Sequence, residues 1–242
     1  MVEINIFNKT KMTERRAMIE YTQQGDVAIF NWDDGKVNSL SHATVDRLNE
    51  LLDRAEKEAS AVVIHGRPGL LSAGFNLKEV SAETAAQAAD DQLLPALVNK
   101  GAALLLRLFS HPQPVVTACT GHAIAAGGMM LLASDTRIGV HGEFKIALNE
   151  TAIDMILPAF GIELVKSRLS PRFQTMCAIQ SHMFSPETAL KAGFFDELVS
   201  AEEVLPRAIE HATQLAQLPP VYGINKMMLR QSHADIIRAS LN

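Results

Sequence analysis

The 242-residue chain has two cysteines, one tryptophan and two tyrosines, and aromatic residues make up only 5% of it. Cys119 and Cys177 lie far apart, each inside an apolar stretch, and read as buried thiols of a reducing cytoplasm rather than a disulfide framework. No uninterrupted apolar run reaches the ~18–20 residues that a membrane span needs. A surplus of positive charge is missing as well. Lys and Arg number 22 against 27 Asp and Glu, and the net charge of −5 gives no general attraction to nucleic acid or to an anionic membrane. The eight histidines lack the spacing of a zinc site, so no metal is expected. A G-x-G-x-x-G or Walker-type loop is absent, which disfavours dinucleotide and phosphoryl-transfer enzymes. Ser72 lacks the nucleophile-elbow context of a serine hydrolase.

What remains is a chain 48% hydrophobic, carried mostly by Ala, Leu, Ile and Val, and long enough to bury a sizeable core. Residues Met1 to Arg16 are polar, slightly basic and without the apolar core of a secretory signal. Residues 1–17 are therefore read as an extension, mobile or vector-derived, outside the fold. From Ile19 to Trp32, two β-prone runs around Gln24-Gly25-Asp26 predict a hairpin. Ser41 can cap a helix that places Val45, Leu48, Leu51, Leu52 and Ala55 on one face. The runs Ala61 to His65, Val115 to Ala118 and Thr136 to Val140 predict buried strands, and Leu93 to Leu108 a long helix. Ser185-Pro186 should start a short helix that Gly193 ends, and the chain from Glu202 onward is helical apart from Pro219-Pro220. Strands alternating with helices predict an α/β core over 18–200, with a helical C-terminal region over 201–242.

Three segments carry the chemistry. The loop Leu71-Ser72-Ala73-Gly74-Phe75-Asn76-Leu77 follows a buried strand and a turn, where α/β sheets present ligand sites and small residues let backbone approach. The run Gly121 to Gly128 puts Gly127 and Gly128 at a helix start, whose unpaired N–H groups and positive dipole end point outward. One N–H from each loop could hold a developing oxyanion, although tight turns and close packing explain the same glycines. Third, Glu150 is one carboxylate in a largely uncharged run. An apolar setting raises a carboxyl pKa toward the range where the group takes and returns a proton, which makes Glu150 a candidate general base. The plain alternative is a solvated Glu at the edge of an element.

The stretches Gly35 to Leu40, Arg67 to Leu77, Gly121 to Gly128 and Leu148-Asn149-Glu150-Thr151 resemble, in order and spacing, the crotonase superfamily of enoyl-CoA hydratases and isomerases. Within it, Asn149-Glu150-Thr151 followed by Ile156 to Phe160 is most similar to mitochondrial-type 3,2-trans-enoyl-CoA isomerases. The resemblance implies a spiral of ββα units, a C-terminal trimerisation region giving a homotrimer or a dimer of trimers, and an acyl-CoA substrate with no cofactor beyond the coenzyme A it carries. It implies an oxyanion hole from the N–H groups of Phe75 and Gly127, with Glu150 as acid/base. Ala73, Lys36, Val37 and Lys78 fall at its CoA-contact positions. Lys226, one turn from Arg230 on the C-terminal helix, would be a solvated residue or a CoA phosphate contact, and Asp135 a structural acid.

Hydratases of this group carry a second Glu on the helix after the glycine-rich turn, at a position read here as Met130. Adding water normally uses two carboxylates; a 1,3-proton shift needs one. The expected activity is therefore isomerisation of a 3-enoyl-CoA in fatty-acid metabolism. Asp154, four residues after Glu150, is read first as a solvated or packing residue; on a helix it would share the face of Glu150 and could instead restore a two-carboxylate hydratase, lyase or hydrolase. A CoA-binding paralogue without turnover is the remaining alternative. Asn76, standing where this loop is commonly acidic, has no mechanistic reading from sequence.

Overall fold

Two short β-runs close into the expected hairpin, β1 (Ile19–Gln24) and β2 (Val27–Trp32), paired from Ile19 with Trp32 to Gln24 with Val27. A computed structural model describes residues 18–86 and 95–241; the expected 1–17 extension and the start of the helical pattern at Leu93 lie outside them. The chain continues through α1 (His42–Glu58), β3 (Ala61–His65), β4 (Gly69–Ser72), α2 (Leu77–Ala86), α3 (Ala96–Phe109), β5 (Val115–Cys119), β6 (Gly121–Ile124) and α4 (Ala126–Ala133). Then come β7 (Thr136–Val140), β8 (Ile146–Ala147), a 3-10 turn at Thr151–Ile153, α5 (Ala159–Arg168), α6 (Pro171–Ala178), α7 (Pro186–Ala192), β9 (Glu197–Val199), α8 (Val204–Ala216) and α9 (Val221–Ala239).

Local chemistry sets several of these boundaries. The Ser41 hydroxyl accepts the Thr44 N–H and starts α1, which buries the predicted stripe from Val45 to Ala55. Ser185 does the same for α7 through Thr188 N–H, with Pro186 in the first turn and left-handed Gly193 at the end. Asn76 caps α2, its Oδ1 accepting Lys78 N–H while its amide donates to Glu79. That gives Asn76 a structural role.

The strands form two sheets. The larger runs β1-β2-β3-β5-β7-β9 and is parallel after the opening hairpin; the smaller, β4-β6-β8, is parallel throughout. Alternation along the larger sheet feeds two cores. Ala28, Phe30, Val62 and Ile64 join one cluster with α1, α3 and α4, while Val27, Ile29, Ala61 and Val63 join the other. The second cluster is closed by Val204, Ala208 and Ala212 of α8. The 201–242 region packs on the rest of the chain: its first helix covers a face of the large sheet, and α9 lies against α3 and α5. Among the described residues no helix is long and apolar enough to cross a membrane.

Candidate active site

All three strands of the small sheet end at one cavity. β4 leads into Ala73 to Phe75, β6 into the start of α4, and β8 into Asn149 and Glu150. This places the loops at the carboxyl edge of a parallel sheet, where such sheets bind ligands. The cavity, about 160 Å³, is lined by Ala73, Phe75, Met129, Asn149, Glu150 and Phe160 among others.

Close backbone contacts hold the loops in place. Ala73 N–H donates to Val37 O (3.0 Å), Leu40 N–H to Gly74 O (2.8 Å) and Asn76 N–H to Leu40 O (2.9 Å). These bonds bring Val37 and Lys36 alongside Ala73, and their alternation turns the Phe75 N–H away from the 36–41 segment. Gly74 has φ +95, and a Cβ there would lie 2.8 Å from Ala125 Cβ and 3.2 Å from Ala126 N. A Cβ on Gly127 would lie 2.3 Å from Ser72 O. Only glycine permits the two loops to pack this closely.

Ala125 caps α4 at φ +52 and ψ −122, a conformation that costs a residue with a side chain on the order of 1–3 kcal/mol. Its N–H is anchored on Ala147 O at 2.8 Å. The turn exposes the first N–H groups of α4, those of Ala126 and Gly127, which have no acceptor within the helix. Sequence reading singled out Gly127. Ala126, whose nitrogen lies beside the Gly74–Phe75 corner, was missed because alanine carries no motif signal.

Glu150 is 7% exposed. Burial pushes its carboxyl up to about 6, opposed only by a hydrogen bond from its own backbone. Its carbonyl accepts the N–H groups of Ile153 and Met155, which fixes the 3-10 turn behind it. The nearby Cys177 thiol is pushed up to about 12 by burial, with Glu150's charge acting in the same direction, and stays neutral. Apolar burial, not an ion pair, thus sets the state of Glu150.

The sequence profile of the enoyl-CoA hydratase/isomerase family matches residues 22–236. The chain belongs to this family, within the crotonase superfamily. An enoyl-CoA isomerase structure from Mycobacterium tuberculosis superimposes with a TM-score of 0.85 at 35% identity, covering 93% of this chain and 96% of that one. A Mycobacterium marinum enoyl-CoA hydratase gives the same TM-score at 36% identity, with 93% and 96% covered. Human mitochondrial enoyl-CoA delta isomerase 1 is 27% identical over 226 residues, 91% of this chain and 73% of that protein. Similar proteins thus carry both activities in their names.

Two expectations for this family member change with the structure, at Met130 and Lys226, and the two-carboxylate alternative at Asp154 drops out. Met130 is fully buried in the core, and Met129 is the residue that lines the cavity. Because α4 begins at Ala126, its fourth residue, not its fifth, turns back toward the Ala125 corner. Asp154 does not share a face with Glu150. A 3-10 turn repeats every three residues, so Ile153 reaches the cavity, while Asp154 sits in a left-handed conformation (φ +59), exposed and outside the lining. Lys226 is neither solvated nor free for a phosphate: its ammonium is buried and donates to Asp135 Oδ2 (2.6 Å) and Gln113 O (2.9 Å). Arg230 pairs with the same carboxylate at 2.9 Å, and Asp135 also accepts Val115 N–H at the amino edge of β5, the opposite end of the strands from Glu150. Lys36, Val37 and Lys78 are exposed near the loop entrance. His122 is held by Lys145 N–H and an edge contact with Phe144, and takes no place in the cavity wall.

Proposed function

We propose that this chain shifts the double bond of a 3-enoyl-CoA to the 2-trans position. The observation that carries the reading is that Glu150, buried and raised to about 6, is the one carboxylate among the described residues that line the cavity, with Met129 in the wall where a second acid is expected of a hydratase. The thioester carbonyl oxygen accepts from Phe75 N–H and from the first turn of α4, at Gly127 with Ala126 beside it. Glu150 takes a proton from C2, and the C–H electrons move toward the carbonyl oxygen to form an enolate. The two donors stabilise that oxygen by about 3–4 kcal/mol each, by analogy with other oxyanion holes. Glu150 then delivers the proton to C4, leaving the double bond conjugated with the thioester. The reaction is redox-neutral and the base is regenerated, so the step calls for no cofactor. Ala73, Val37, Lys36 and Lys78 hold the CoA moiety at the entrance. Exposed Ile224, Met228 and Leu229 on α9 favour assembly of the chain into a homotrimer or a dimer of trimers.

The test incubates the protein separately with a 3-enoyl-CoA and a 2-trans-enoyl-CoA, following conjugation and hydration by absorbance, with Glu150→Gln as control. Conjugation that falls by about 10²–10⁴ in the variant, the range for a general base, is expected. Conjugation unaffected by Glu150→Gln, or binding without turnover, would overturn it.

A further inference from the structure

The wall of the active-site cavity is buried in one part and open to solvent in another. Val80, Val98, Met129 and Phe160 are at most 6% exposed, whereas Leu77, Ile153, Met155 and Ile156 of the same wall are 55%, 44%, 37% and 90% exposed. Single exposed aliphatic residues are ordinary on a protein surface, but a group of them on one cavity marks a binding surface. Local structure puts them there. Asn76 caps α2 by accepting Lys78 N–H, which makes Leu77 the first residue of the helix. After Glu150, left-handed Asp154 ends the 3-10 turn and Met155 N–H returns to Glu150 O at 3.0 Å, so that Met155 and Ile156 follow Ile153 along the wall. The exposed apolar residues of α9, Ile224, Met228 and Leu229, line no part of this cavity. Volume supplies a second argument. An apolar cavity of about 150 Å³ takes up benzene, six carbons in all, and this one is about 160 Å³. Carbons C1 to C4 of a 3-enoyl chain use most of that room, so carbons beyond about the sixth emerge at the exposed part of the wall.

We propose that the substrates are 3-enoyl-CoAs whose acyl chains exceed about six carbons, and that Leu77, Ile153, Met155 and Ile156 are specificity-determining residues that hold the part of the chain outside the cavity. The inference rests on the reading of this cavity as the acyl site of an enoyl-CoA isomerase, and it names the chain-length class of that substrate. Methylenes and aliphatic side chains that would otherwise meet water both gain by covering each other, and an alkyl tail brings no polar group that needs a partner. Among the described residues of the wall, Glu150 is the only charged side chain, so a tail laid over the four exposed residues strands no charge beneath it. A second protein seated on the same residues would instead leave affinity independent of chain length past the sixth carbon.

The experiment measures Kd by calorimetry for saturated butyryl-, hexanoyl-, octanoyl-, decanoyl- and dodecanoyl-CoA, which bind without reacting, in the wild type, Ile156→Ser and Ile179→Ser. Ile156 is exposed enough for its replacement to spare the fold, and Ile179, 63% exposed and outside the wall, controls for general surface hydrophobicity. In the wild type, Kd should tighten about fourfold per methylene up to hexanoyl-CoA, the gain of full burial, and about twofold per methylene beyond it, the gain of half burial. Ile156→Ser should weaken dodecanoyl-CoA about fivefold and hexanoyl-CoA by less than about twofold, while Ile179→Ser should match the wild type throughout. A wild-type Kd that stays level beyond hexanoyl-CoA would overturn the inference and leave the isomerase reading intact. So would a loss in Ile156→Ser that is equal for hexanoyl- and dodecanoyl-CoA, or one that Ile179→Ser reproduces. The expected series of Kd values with no conjugation of 3-hexenoyl- or 3-dodecenoyl-CoA would overturn the isomerase reading and leave the role of the four exposed residues standing.

Discussion

The two parallel sheets divide the work of the molecule differently. The central strands of the six-stranded sheet, β2, β3, β5 and β7, are buried on both faces among largely aliphatic side chains, and removing one of these side chains threatens the fold. The three-stranded sheet has strands of four, four and two residues and owes its closeness to glycine and alanine. It holds a strained Ala125 and a buried Glu150 whose charge is unpaired, both unfavourable to folding. Stability is concentrated in one sheet and chemistry at the end of the other, as expected where a site stores strain that its surroundings bear.

Variants in each region should sharpen this contrast. The largest loss of stability is expected at Asp135→Asn, at the amino edge of the large sheet. It leaves Lys226 and Arg230 buried without their carboxylate and should cost about 3–5 kcal/mol in denaturant unfolding. The kcat of the protein that remains folded should be unchanged. Ile64→Ala, in the middle of β3, should cost about 2–5 kcal/mol and likewise spare kcat. Gly74→Ala reverses the pattern. Its φ of +95 and the 2.8 Å approach to Ala125 Cβ force the proposed oxyanion corner apart, and kcat/KM should fall by about 10²-fold, the effect of an ångström-scale misplacement. Should Gly74→Ala lose stability but keep its kcat/KM, the division between the sheets would fail.

A smaller effect follows from Glu150 itself. Burial raises its pKa from the ordinary 4.5 to about 6, so the folded chain holds the proton more tightly than the unfolded one. Glu150 therefore adds stability below the unfolded value, and that contribution is lost as pH rises through the folded value. Above that window its charge costs roughly 2 kcal/mol. Glu150→Gln should accordingly unfold at higher denaturant than wild type near neutral pH, and the gain should vanish in acid. Asp154→Asn should be the least consequential, changing stability by no more than about 0.5 kcal/mol, the usual range for an exposed site, and leaving the rate of conjugation unaltered.

The division between the sheets also explains what could be read from sequence. Val62, Val63 and Ile64, or the spaced leucines of α1, announce themselves because burial on one or both faces demands apolar residues at fixed periods. The caps at Ser41 and Ser185 were legible for the same kind of reason, since an unpaired helix start selects a hydroxyl. β4, β6 and β8 were not. Gly69-Leu70-Leu71-Ser72 and Gly121-His122-Ala123-Ile124 read as turns, because their small residues serve close approach between loops rather than a β pattern. The site was found instead through motif resemblance and through the isolation of Glu150. The misplacement at Met130 and the failure of the two-carboxylate alternative at Asp154 share a cause: both depend on helical phase, one on where α4 begins and the other on a 3-10 rather than an α turn, which leaves Asp154 in the solvated role first read for it. Lys226 was misread because a single charged residue on a helix does not reveal a buried partner 91 positions away.

The most direct measurement is the pH profile of kcat/KM for conjugation of a 3-enoyl-CoA. A lone buried base predicts a single acid limb of slope one, bending near the pKa of about 6 that burial gives Glu150, and abolished in Glu150→Gln. A limb that bends near 4.5, the ordinary value for the group, or one of slope two, would contradict a single base isolated by apolar burial.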